Sequence, residues 1–200
     1  MRFNFSEVSS NVNEVERSFK LHCCSKLRDF VFKYEDLLGK EIWDVLDEEI
    51  QQDPGAFLSA INSYASRKGN LPIYLLIDEY DNFTNTILST YGTEYYQKAT
   101  HGEGFVRGFF NVIKAATTGT GSALQRMFIT GVSPVTMDDV TSGFNIGTNI
   151  TTDPWFNDLV GFSEAELREM LTYYKEQGVL MQTVDETIVM MKPNYDNYCF

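Results

Sequence analysis

Histidine and cysteine are scarce in this chain of 200 residues. His22 and His101 are the only histidines and stand far apart, which counts against a histidine-rich metal centre. Of the three cysteines, Cys23 and Cys24 are adjacent and Cys199 lies near the end, so they offer neither a disulfide framework nor a paired CxxC spacing. They are expected as buried or partly buried thiols in a reducing cytosol. Positive charge is also in short supply: 16 Lys and Arg against 28 Asp and Glu give a net charge of −12. Such a surface repels phosphate backbones, which excludes a nucleic-acid grip by this chain alone. No apolar run reaches membrane-spanning length and no signal-peptide core opens the chain, so a cytoplasmic protein without a membrane partner is expected. Internal repeats and low-complexity tracts are lacking as well. What remains is a globular balance, 43% hydrophobic and 22% charged, suited to one domain or one domain with a short extension.

Met1 to Ser6 alternates like a strand, with Phe3 and Phe5 on one face. A strand with no lead-in leads us to expect further chain upstream. Val12, Val15, Phe19, Cys23, Leu27, Phe30, Val31 and Tyr34 then recur at steps of three and four, the stripe of an amphipathic helix. Residues 35–53 are rich in acids, with Ile42, Trp43, Val45, Leu46 and Ile50 interleaved at helical spacing; the acids read as a solvated face. Asp53-Pro54 is a helix start and Gly69 a stop. Leu71 to Ile77 reads as a strand buried on both faces, and Asn82 to Gly104 as irregular chain with a helix around Ile87. A helix from Gly104 through Ala116 and a second buried strand at Met127 to Thr130 follow. Ser163-Glu164-Ala165-Glu166 is a capping box, with Phe162 and Leu167 placed as a hydrophobic staple. Asp185 to Met191 reads as a short helix. The alternation predicts an α/β layered domain with a largely parallel sheet over 1–160, and a helical extension over 161–200.

The chemistry concentrates in Leu75-Leu76-Ile77-Asp78-Glu79-Tyr80-Asp81. Apolar residues deliver two carboxylates to the C-terminal end of a strand, where open α/β sheets bind ligands. In P-loop ATPases this is the Walker B arrangement: the first acid holds Mg²⁺ and the second orients or deprotonates the attacking water. Magnesium needs one or two carboxylates beside phosphate oxygens, so the pair suffices chemically. The later strand Arg126 to Pro134 offers Thr130 or Ser133 as a polar sensor.

These segments resemble the predicted AAA-ATPase-like proteins of bacteria, often fused to a C-terminal nuclease-like domain. The resemblance rests on Leu76 to Asp81, Phe128 to Pro134, Thr141 to Ile146, Gly161 to Glu164 and Tyr195 to Phe200. It implies a P-loop NTPase fold, with Asp78 as Mg²⁺ ligand, Glu79 as water-activating base, Thr130 as sensor and Ser133 beside it. It also implies Mg²⁺ and ATP as cofactors of the intact family member.

The chain departs from that pattern in one respect. The phosphate-binding loop, Gly-x-x-x-x-Gly-Lys-Ser/Thr, belongs upstream of the strand at Met1. Gly39-Lys40, Gly102-x-Gly104 and Gly119-x-Gly121 do not replace it. The expectation is a truncated ATPase core, inactive alone and binding neither cofactor. Self-association or an upstream segment would complete its sheet. The resemblance implies a missing strand between the Leu75 and Phe128 strands, which are then expected to pair directly. Two other readings stand beside it: a non-catalytic interaction module on the same fold, and a metal-dependent nuclease using Asp78, Glu79 and Asp81.

Overall fold

A computed structural model describes residues 1–69, 71–119, 121–132, 147–151, 153–156, 159 and 161–195. The chain divides into two compact units, Met1–Gly147 and Thr148–Phe200.

In the first unit, the N-terminal alternation sends Phe3 of β1 (Arg2–Asn4) and Phe5, at the start of the following 3-10 turn, fully inside. Helix α1 (Val15–Lys33) buries Val15, Phe19, Cys23, Cys24, Leu27 and Val31, the stripe read from the sequence. Both cysteines are free thiols; burial raises Cys23 and pushes Cys24 up to about 11, so neither is a thiolate at neutral pH.

The acidic stretch does not form one amphipathic helix. It breaks into the single turns α2 (Glu35–Leu38) and α3 (Ile42–Val45) and a 3-10 turn at Ile50–Gln52. Gly39, at φ +85°, takes a left-handed conformation that ends α2. The apolar periodicity is still spent on the core, since Leu38, Ile42 and Leu46 are buried, and the acids of 36–49 point to solvent. Helix α4 (Pro54–Gly69) begins as expected, the Asp53 carboxylate accepting the Ala56 N–H at 2.7 Å.

Three parallel strands form the sheet in the order β1, β2 (Ile73–Asp78), β3 (Leu124–Ile129). β2 and β3 pair directly, from Leu75 opposite Met127 to Ile77 opposite Ile129. The expected pairing is present, so the two strands leave no unpaired gap between them. Neither β2 nor β3 is buried on both faces. Ile73, Leu75, Ile77 and Leu124 face the core, whereas Tyr74, Leu76 and Phe128 are 55%, 45% and 43% exposed. Parallel sheets ordinarily carry helices on both faces; among the described residues of this unit, α1, α4, α5 and α7 supply the core of one face.

The helix expected around Ile87 is α5 (Asn82–Tyr91), and the chain after Gly92, read as irregular, forms a further helix, α6 (Thr93–Thr100). Phe83, Thr84 and Ile87 are buried in α5, Tyr96 and Ala99 in α6. Helix α7 (Phe105–Thr118) follows. The heart of the unit is aromatic. The Phe19 ring lies 5.2 Å from Phe5, 5.8 Å from Phe83, 5.2 Å from Phe105 and 5.5 Å from Phe109.

In the second unit, α8 (Glu164–Glu176) carries the expected capping box: the Glu166 N–H donates to Ser163 Oγ, and the Ser163 N–H to Glu166 Oε2 at 2.9 Å. Phe162 stays 77% exposed, so the expected staple buries little. Helix α9 (Val184–Tyr195) is longer than expected and opens with a second box, the Thr183 N–H donating to Glu186 Oε2 at 2.8 Å and the Glu186 N–H to Thr183 Oγ1 at 3.2 Å. Arg168 pairs with Glu164 on its own helix and joins the two helices through Asp185.

Candidate active site

Side chains alternate along a strand, so Tyr74, Leu76 and Asp78 emerge on the same, open face of β2. What stands opposite Asp78 is decided by a bulge in β3. Ile73 pairs with Leu124, but Tyr74 pairs with Arg126, which leaves Gln125 as the extra residue. One added residue exchanges the faces of everything after it. Phe128 and Thr130 thereby come to the open face, and Thr130 arrives beside Asp78.

The Thr130 hydroxyl donates to Asp78 Oδ1 at 2.6 Å. The backbone ladder runs on past the strand ends, the Thr130 N–H donating to Ile77 O at 2.8 Å and the Tyr80 N–H to Thr130 O at 3.1 Å. From β1, the Arg2 guanidinium reaches Asp78 Oδ2 at 3.3 Å. The Thr130 hydrogen bond, joined by Arg2, holds the Asp78 carboxyl below the ordinary carboxylate range, so it is an anion at neutral pH.

Glu79 has the only positive φ among the described non-glycine residues, +56°. Such a conformation costs about 1–2 kcal/mol for a residue with a Cβ and persists where the surroundings enforce it. Asn82 Nδ2 donates to Glu79 Oε2 at 3.1 Å. The edge therefore brings together three of the four residues singled out in the sequence: Asp78, Glu79 and Thr130. Ser133 lies outside the described residues, as do Thr141 to Ile146 and Asp196 to Phe200.

Asp81 is not a third acid at this edge. It is fully buried, and both of its oxygens accept the Val132 N–H at 3.1 Å. No group of three or more His, Cys, Asp or Glu able to hold a metal occurs among the described residues. The nuclease reading thereby loses its third ligand. The glycines weighed as phosphate cradles also lie in the wrong places: Gly39-Lys40 between α2 and α3, Gly102 and Gly104 between α6 and α7, Gly119 and Gly121 between α7 and β3. None follows a strand, as a strand–loop–helix nest requires.

A family model described as "Predicted AAA-ATPase" matches residues 1–141. The chain belongs to this AAA-ATPase-like family. No curated protein and no solved structure matches it. The matched stretch contains β1, β2 and β3 and the Asp78–Glu79–Thr130 edge of this family member. Among the described residues no helix is long and apolar enough to cross a membrane.

One contributor, Arg2, escapes the sequence reading, and a second, Asp81, has a role there only as a metal ligand of the nuclease alternative. Arg2 reaches Asp78 from β1, and only the parallel register reveals that neighbour. Asp81 has a signal, the Asp-Glu-Tyr-Asp run, but its inward turn depends on the approach of Gly131.

Proposed function

We propose that the C-terminal edge of β2 and β3 is the metal-and-water half of an ATP-hydrolysing site. Asp78 would hold Mg²⁺, Glu79 would orient or deprotonate the attacking water, and Thr130, with Ser133 after it, would sense the terminal phosphate. The observation that carries this reading is the Thr130–Asp78 hydrogen bond, which pairs a strand-end acid with a strand-end hydroxyl on neighbouring parallel strands. An ionised carboxylate and a hydroxyl are hard oxygen donors, which suits Mg²⁺. The metal would neutralise charge building on the phosphates.

In this class most phosphate contacts come from a glycine-rich loop's N–H groups, its lysine and its Ser/Thr. These 200 residues hold no such loop. The open face with Tyr74, Leu76 and Phe128 supports a site completed by another segment, either upstream chain or a second copy. The same face supports a second reading, a non-catalytic interaction module on this fold.

Alone, the chain is expected to bind Mg·ATP weakly or not at all, because Asp78 and Glu79 leave a negative site within a net charge of −12. Calorimetric titration with Mg·ATP checks this. Micromolar binding abolished by Asp78→Ala would reveal a phosphate cradle elsewhere in the chain.

A further inference from the structure

We propose that Asp81 is the positioning residue of this edge: its buried carboxylate clasps the chain leaving β3 to the chain leaving β2, and so holds the Thr130 hydroxyl on Asp78. The proposal rests on the reading of Asp78 and Glu79 as the metal-and-water pair.

Asp81 immediately precedes α5, where a carboxylate ordinarily accepts the helix's own free N–H groups. It makes no such cap. Its oxygens turn instead to Val132, and Asn85 Nδ2 donates to Oδ2 at 2.8 Å. A carboxylate taken fully out of water is costly unless donors meet it, so this orientation commits Asp81 to the β3 exit. Gly131 permits the approach. A methyl group there would overlap the Tyr80 ring and stand 2.6 Å from Asp81 Oδ1. The two exits thus meet face to face, with nothing on Gly131 to keep them apart.

Thr130 is then pinned from both sides. Before it, its own N–H is held by Ile77 O; after it, the Val132 N–H is held by Asp81. With both flanks fixed, its side chain is presented beside Asp78, where its hydroxyl donates to Oδ1. The clasp also accounts for Glu79. The turn from Asp78 to Asp81 is anchored at its start by the β2 ladder and at its end by Asp81, and Glu79, the first of the two residues between, takes the left-handed conformation. Asp81 reaches the reacting centre through Thr130 and the backbone.

The test uses the ¹⁵N-labelled 200-residue protein, Mn²⁺ as the probe, and broadening of individual amide signals as the readout. In the unchanged protein an excess of Mn²⁺, which two carboxylates attract weakly even without phosphate, is expected to broaden Glu79 and Thr130, and Asp78→Ala to abolish this. In Asp81→Asn, nearly the same size as the native residue, the apparent Mn²⁺ affinity at the edge is expected to fall about tenfold or more. Thr130 broadening should be lost ahead of that of Glu79. The Val132 amide should exchange with solvent faster while Leu75 and Ile77 stay protected. Should Asp81→Asn not fold, Val132→Pro removes the clasped N–H from a residue 83% exposed, and the same losses are expected. A folded Asp81→Asn protein that broadens Thr130 and Glu79 like the unchanged one overturns the positioning role and leaves the site reading intact. An unchanged protein in which Mn²⁺ broadens neither residue overturns the site reading, and the positioning role with it.

Discussion

Phe19→Ala is expected to destabilise the first unit by about 3–5 kcal/mol, a large part of a domain stability of about 5–15 kcal/mol. Phe19 is 1% exposed, and its ring meets those of Phe5, Phe83, Phe105 and Phe109. Those four come from the turn after β1, from α5 and from α7, so the substitution opens a cavity where these elements meet α1. Rigid rings on three elements cannot all collapse into it, which places the cost toward the upper end. The effect reaches function through Phe83, two residues after Asp81, whose ring fixes the start of α5 against this cluster. Urea unfolding followed by circular dichroism checks it: the midpoint should drop with little change in slope. A midpoint within the scatter of the unchanged protein would mean that this aromatic cluster is not the centre of the core.

Gly131→Ala is expected to cost about 1–3 kcal/mol, the range for forcing extra volume into a filled space. The added methyl would overlap the buried Tyr80 ring and crowd Asp81 Oδ1. Tyr80 is 6% exposed, so its ring has little room to swing aside. Gly108, inside α7, is the matched control. Its position has open space around it, and alanine there should raise stability by about 0.5–1 kcal/mol through helix propensity. Thermal melts of the two variants side by side should therefore move in opposite directions. Equal shifts would show that close approach at Gly131 does not shape the edge.

The elements that could be read from sequence are those in which one local rule acts alone. The stripe of α1, the Asp53-Pro54 start of α4 and the Ser163 box all follow from spacing and capping chemistry within a few residues. The alternation at Phe3 and Phe5, and the acids that close β2, were equally local. Three failures share a non-local cause. The acidic stretch has a helical period, yet Gly39 and the burial of Leu38, Ile42 and Leu46 around separate turns divide it. α6 is built around Thr93, Tyr95, Tyr96 and Thr100, whose weak propensity is overridden by the burial of Tyr96 and Ala99. The apolar run of β2 reads as buried twice over, yet Tyr74 and Leu76 face outward, because a run of apolar residues cannot say whether its second face is covered. At the site, Asp78, Glu79 and Thr130 were legible as types at strand ends. Their conjunction was not, because the bulge at Gln125 and the inward turn of Asp81 exist only once β2 and β3 have paired.

The central claim, that Asp78 and Glu79 form the metal-and-water half of an ATPase site, is tested most directly by supplying the other half. A strand–loop–helix segment bearing Gly-x-x-x-x-Gly-Lys-Ser/Thr, taken from a member of the same family, is joined ahead of Met1, and ATP turnover is measured. Turnover should appear and should vanish in Asp78→Ala. In Glu79→Gln, ATP should stay bound and uncleaved, because the amide cannot take a proton from water. Turnover indifferent to Asp78→Ala and Glu79→Gln would contradict the account. A joined protein that folds but neither binds nor cleaves ATP would also contradict it, and would leave the interaction module as the function of this fold.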